Sequence, residues 1–169
     1  MIRAARPRDY AKLQDIERRA DERFRDVGMP EIADAEPRDV DELAAAAALF
    51  VATGEDAQPV GYTLVELVDG HAHLGQLSVL PEEGGRGVGT QLLNVVAEWA
   101  TGCGHAEITL TTFRDVPFNG PLYAKRGYDV VPDAELTDGL RSIAEHEVTF
   151  GFDPTKRVVM RRRLQYPRC

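Results

Sequence analysis

Cysteine is scarce in this chain: only Cys103 and Cys169 occur among 169 residues. Two such residues do not build a disulfide-stapled fold, and neither has the paired spacing of a metal-ligand set, so a reduced setting and no metal are expected. Positive charge is also in deficit. Twenty Lys and Arg face 28 Asp and Glu, for a formal net charge of −8 and a pI near 5.0. That argues against nucleic acid as the main partner, because a phosphate-binding face needs clustered cations. Long apolar runs are missing too. The longest, Leu43–Ala52, is about half of what a membrane span requires. The opening MIRAARPRDY lacks the apolar core of a signal peptide. No repeat and no low-complexity linker interrupts the chain. A single cytoplasmic domain over residues 1–169, with no membrane partner, is the expectation.

What is present is ordinary globular composition, 43% hydrophobic and 28% charged, arranged in a pattern that changes along the chain. Ile2–Arg6 is a short strand candidate. From Pro7 the apolar residues Leu13, Ile16, Ala20 and Phe24 recur at helical spacing. Residues 29–40 have no clear period and read as a loop. Asp39–Ala48 is a capped, alanine-rich helix candidate. The period then shortens to two. Leu49–Thr53, Val60–Val68 and His71–Leu80 read as strands, the last two joined by Asp69-Gly70, a strong hairpin signal. Val88, Leu92, Val96 and Trp99 place one apolar face on a helix ended by Gly102 and Gly104. A strand at 106–112 follows, parallel to 71–80 because a helix connects them. Pro117–Arg126 is a short helix with Gly127 as its C-cap. Tyr128–Val131 is a strand, and one helical turn is expected near Asp138–Ala144. Arg157–Leu164 is a terminal strand, read as an edge and a candidate homodimer surface.

Residues 79–93 read VLPEEGGRGVGTQLL, with four glycines between a strand and a helix. This is a physical recipe for phosphate: the first helical N–H groups lack intrahelical partners, and the helix dipole adds positive potential. A nucleotide P-loop would need Gly-Lys-Ser/Thr, which is absent. The dinucleotide fingerprint would need G-x-G-x-x-G, whereas Gly85, Gly87 and Gly89 are spaced differently and the next strand has no terminal acid. Gly84-x-x-Gly87-x-Gly89 instead resembles the Q/R-x-x-G-x-G/A pyrophosphate loop of the GCN5-related N-acetyltransferase (GNAT) superfamily. Residues 117–128, PFNGPLYAKRGY, resemble that family's late N-x-x-x-Y-x-x-x-G-F/Y motif through Asn119, Tyr123, Gly127 and Tyr128.

The resemblance implies an α/β (α+β) fold: a mixed, mostly antiparallel twisted sheet of six to seven strands, helices on both faces, and a splayed parallel strand pair. It implies acetyl-CoA as co-substrate and direct attack by a primary amine of a small molecule or peptide. The cofactor-binding residues would be Leu77, Ser78 and Val79, then Gly84, Gly85, Arg86, Gly87, Val88, Gly89 and Thr90, then Asn119 and Tyr123. Arg86 or Arg114 would supply a cationic contact. Tyr123 would be the general acid that protonates the leaving thiolate. Tyr128 reads as core packing.

Two positions depart from the pattern. Gly84 stands where Gln or Arg is usual, and Gln76 stands where relatives often carry a carboxylate. Glutamine cannot take a proton, although it can orient an amine. The base is then water, a carboxylate of the first helix or its loop (Glu22, Glu31), or unnecessary. The same departures leave an alternative function, a CoA-binding module without catalysis. Phe24, Met29, Pro30 and Glu31 are the candidate acceptor-binding residues. His71 and His73 share a strand face and read as a solvated hairpin end.

Overall fold

The computed structural model describes residues 1–165; Cys169 lies outside them. The strands are β1 (Ile2–Ala4), β2 (Ala48–Thr53), β3 (Pro59–Val68), β4 (His71–Val79), β5 (Glu107–Phe113), β6 (Asp129–Val130) and β7 (Arg157–Arg163). The helices are α1 (Tyr10–Asp21), α2 (Pro30–Ala33), α3 (Val40–Ala45), α4 (Val88–Gly102), α5 (Gly120–Ala124) and α6 (Asp138–Thr149). One seven-stranded sheet runs in the order β1-β2-β3-β4-β5-β7-β6. The β4–β5 pair is parallel, while β1–β2, β2–β3, β5–β7 and β6–β7 are antiparallel. The mixed, mostly antiparallel α/β architecture expected from the sequence is the one observed. Contacts group the chain into two compact units. The first is Met1–Glu66 with Gly75–Val96; the second is Leu67–Leu74 with the chain from Ala97 onward.

In the first unit, the helical spacing of α1 buries Leu13, Ile16 and Ala20. Leu13 and Ile16 pack with Leu43, Val51, Tyr62, Leu64 and Leu80. Each such side chain contributes about 1.5–3 kcal/mol on burial. Pro7–Asp9 precedes α1 as a 3-10 turn, and Glu22–Val27 follows it as another, ended by Gly28 at φ 74°. The 29–40 segment is not wholly irregular, because α2 occupies its beginning. A reciprocal cap starts α3: Asp39 accepts from the Glu42 N–H, and Glu42 accepts from the Asp39 N–H, both at 2.8 Å. That helix is shorter than its alanine content suggests. Ala48 already pairs with Val65 in the β2–β3 ladder, so sheet register overrides helix propensity.

In the second unit, Asp69 and Gly70 take φ values of 51° and 77°, the pair of left-handed residues that a two-residue hairpin turn requires. The parallel register pairs Ala72 with Ile108 and His73 with Thr109, near the start of both strands. Two expectations are corrected here. The Asp138–Ala144 turn is in fact the three-turn helix α6, and β7 is not an edge strand. The Thr137 hydroxyl accepts from Leu140 N–H, and Asp69 accepts from Gly139 N–H at 2.9 Å; together they cap α6. Leu140 is buried against Val131 and Val159. The chain leaving α6 inserts β7 between β5 and β6, so the two-residue β6 forms the edge. The arginines of β7 suggested solvent; Arg157 and Arg161 instead reach Glu147 and Glu135.

Candidate active site

The end of β4 leads directly into the glycine loop. Ser78 is buried, and its Oγ accepts from Gln76 Nε2 at 3.0 Å. The Gln76 carbonyl accepts from the Thr63 hydroxyl at 2.9 Å. Gln76 is therefore held by β3 and β4, beside Leu77 and Val79. Gly61 of β3 lets these elements close up: a Cβ there would lie 3.1 Å from the Ser78 carbonyl oxygen and 3.3 Å from Val88 Cγ1.

Pro81–Glu83 forms a 3-10 turn, and Gly84 follows in extended geometry with φ −59°. Gly85 and Gly87 take φ 75° and 80°, which L side chains rarely adopt. Val88, Gly89 and Thr90 then open α4, with Gln91 N–H donating to the Gly87 carbonyl at 3.0 Å. The first turn of this fifteen-residue helix thus presents its N–H groups at the loop. Glycines 84, 85 and 87 are exposed, and a Cβ on Gly89 would meet nothing closer than Val79 Cγ2 at 3.9 Å. Arg86 is largely exposed and pairs with Glu83 at 3.2 Å. Arg19 of α1 grips Glu82 with two bonds, 2.8 and 3.0 Å, tying the helix to the loop.

The same unit holds a group of titratable side chains that the sequence did not announce. Glu17 interrupts the buried face of α1 and is only 7% exposed. One of its carboxylate oxygens accepts from the Tyr62 hydroxyl and from Arg38 N–H. The Arg38 guanidinium donates to Glu66 at 2.6 Å and to the Gly75 carbonyl at 2.9 Å, next to Gln76. Asp21 lies one turn beyond Glu17 and is half-buried. Loss of hydration, reinforced by the Glu17 charge, raises the Asp21 carboxyl to about 7. Burial also raises Glu17, against the opposing hydrogen bonds from Tyr62 and Arg38. The visible signal was a glutamate on an apolar helical face with an aspartate at i+4.

The other acceptor candidates fall differently. Phe24 is 5% exposed and belongs to the core. Met29 is half-buried, and its N–H closes onto the Phe24 carbonyl at 2.9 Å. Glu31 is exposed on α2. Glu22 is exposed and engaged by Arg25 at 2.9 Å, which ill suits a base.

In the second unit, Asn119 and Tyr123 come together on one turn. The Asn119 carbonyl accepts from Tyr123 N–H at 3.0 Å as α5 begins, and Asn119 Nδ2 donates to the Phe118 carbonyl at 2.9 Å. Gly120 is essential to this turn, since a Cβ there would sit 2.5 Å from the Arg114 carbonyl oxygen. Gly127 ends the segment at φ 88°. The half-buried Tyr123 ring meets Tyr128 edge-on, with centroids 5.7 Å apart. Tyr128 is buried, as its core reading requires. Its hydroxyl has no partner among the described residues, and burial raises its pKa. His71 is exposed as expected, but His73 is not solvated. It is 3% exposed, with Nδ1 2.8 Å from the Thr109 hydroxyl, because it faces the parallel partner strand.

A mixed sheet whose parallel strand opens, through a glycine loop, onto a helix N-terminus defines an α/β protein equipped to meet a phosphorylated ligand. The family follows from sequence comparison: the model of the acetyltransferase (GNAT) family matches residues 10–128. The chain belongs to that family. Among solved structures, it is similar to an acetyltransferase of the GNAT family from Staphylococcus aureus Mu50. That match has 14% identity and a TM-score of 0.71, and covers 98% of this chain and 99% of the other. The PaiA N-acetyltransferase from Thermoplasma acidophilum, solved in complex with coenzyme A, is 17% identical with a TM-score of 0.67, covering 96% and 98%. The ribosomal-protein-S18-alanine N-acetyltransferase from Escherichia coli is also 17% identical, with a TM-score of 0.67 and coverage of 99% and 96%. At these identities the likeness is one of fold.

Proposed function

We propose that this protein transfers acetyl from acetyl-CoA to a primary amine by direct attack in a ternary complex. The observation that carries the reading is the loop itself: Gly85 and Gly87 in left-handed geometry, leading into the first turn of α4. The exposed glycines and the open space over Gly85 and Gly87 fit a bulky, charged pyrophosphate, which backbone N–H groups can approach closely. Leu77, Ser78 and Val79 offer backbone groups to the pantetheine amides in the manner of an added strand.

Gln76, anchored on Ser78, orients the acceptor rather than deprotonating it. Asp21, with Glu17 behind it, takes the ammonium proton, since a carboxyl titrating near neutrality suits that task. The neutral amine then attacks the thioester carbonyl, the carbon–sulfur bond breaks, and Tyr123 protonates the thiolate. A carboxylate on α1 removes the need for one at position 76, which weakens the reading of the chain as a CoA-binding module without catalysis.

The test is thermal denaturation with CoA and acetyl-CoA, followed by thiol release over an amine panel. CoA should raise the melting temperature, and at least one amine should release thiol above background. No shift at millimolar CoA would sink the loop assignment. A shift without thiol release from any amine would leave the non-catalytic module.

A further inference from the structure

The second unit contains a cavity of ≈ 300 Å³, which shares only Arg114 with the candidate cofactor and acceptor residues considered above. Its volume lies at the lower end of small-molecule sites, about 300–1,000 Å³. Val130, Val148 and Phe152 contribute apolar wall, with Val131, Leu136 and Val159 among the other lining residues. Val130 and Val148 are 55% and 47% exposed, although Val131 and Val159 beside them are buried. Exposed apolar side chains gathered at one cavity mark a binding surface better than scattered ones do.

The polar lining is unequal. Arg157 and Glu147 form a two-bond ion pair, 2.7 and 2.9 Å, and the guanidinium lies 4.4 Å from the Phe113 ring centroid and 5.3 Å from that of Phe152. This pair is neutral, stacked and already satisfied, so it serves as a rigid wall. Arg114 and Asp133 also line the cavity, and among the described residues neither side chain enters an ion pair. Their backbones are fixed. Arg114 N–H donates to the Lys156 carbonyl at 2.8 Å, and the Asp133 carbonyl accepts from Arg141 at 2.7 Å. The cavity therefore offers one available charge of each sign beside an apolar wall.

We propose that this cavity binds a zwitterionic α-amino acid with an apolar side chain, its carboxylate toward Arg114 and its ammonium toward Asp133. A simple carboxylate would leave Asp133 unanswered and would meet the field of a chain carrying net charge −8. A simple amine would leave Arg114 unanswered. The zwitterion matches both charges and carries none overall, while its side chain covers Val130 and Val148.

Isothermal titration of the full chain with L-leucine, 4-methylpentanoate and 3-methylbutylamine tests this without any acyl donor, so the outcome is separate from acetyl transfer. Leucine should bind, and each analogue should bind at least about tenfold more weakly, as expected for one lost charge-assisted hydrogen bond. Arg114→Gln and Asp133→Asn should each weaken leucine by about tenfold while leaving the unliganded melting temperature unchanged. Absence of leucine binding at millimolar concentration would overturn the proposal. So would equal binding of an analogue, or leucine affinity indifferent to both substitutions, which would place the amino acid elsewhere on the protein.

Discussion

The proposed chemistry rests on single side chains, and they were unequally visible. Tyr123 was legible because it sits at fixed distance from Asn119 and Gly127 in a patterned segment. Glu17 and Asp21 were not: Glu17 is set by Tyr62 and Arg38, which are remote in sequence and near only after folding, and Asp21 by burial and the Glu17 charge. Tyr123→Phe should lower kcat about a hundredfold, within the range for a lost general acid, with little change in CoA affinity; steady-state rates and a CoA titration check both halves. Asp21→Asn should remove the limb of the kcat/KM profile that rises through about pH 7. The folded-state carboxyl of Asp21 lies above its unfolded value of 3.8, so its stabilising effect is present at low pH and is lost as pH rises toward 7. Wild type should therefore gain on the Asn variant in acid. At pH 8 the Asn variant should be the more stable, by about 1–2 kcal/mol after allowance for solvent reaching this half-buried group. Chemical denaturation of both proteins at pH 4 and pH 8 measures this difference.

At the scale of elements, glycines that look alike in sequence do different work. Gly89 has room for a methyl group, so Gly89→Ala should leave the fold intact while weakening CoA binding, and the two effects separate in a thermal scan with and without CoA. Gly120 has no such room. Gly120→Ala would press a methyl group onto the Arg114 and Phe113 carbonyl oxygens, at 2.5 and 3.0 Å, and should cost about 2–3 kcal/mol of stability. Urea denaturation tests that cost. Gly84 was the odd residue of the loop, and the structure supplies a local reason for it: a Cβ there would come within 3.0 Å of the Pro81 carbonyl oxygen. The hairpin at Asp69-Gly70 was readable because both residues must take positive φ. The length of α6 was not: its start at Asp138 was read, but its last turn carries Glu147, whose partner Arg157 lies in β7 beyond the helix.

For the whole molecule, local pattern located the strands but not their lateral order. The apolar Val158–Met160 and the arginines flanking them in β7 look the same at an edge as between two neighbours, and only the pairing of Asp129 and Val130 with Arg161 and Met160 distinguishes the cases. Each boundary between the two compact units falls inside a continuous element: β3 after Glu66, β4 after Leu74 and α4 after Val96. Differential scanning calorimetry should accordingly give one unfolding transition whose calorimetric and van't Hoff enthalpies agree, and two resolved peaks would contradict a single domain. Among the described residues, no helix is long and apolar enough to cross a membrane.

The parallel pairing has a further consequence for biosynthesis. Ala72 and His73 leave the ribosome well before Ile108 and Thr109, and β5 must in turn wait for β7, which is translated later still. The nascent chain therefore carries β4 for some time without its parallel neighbour. Synonymous codons that slow translation between the two strands would lengthen that interval, when an unpaired strand is most open to capture by another chain.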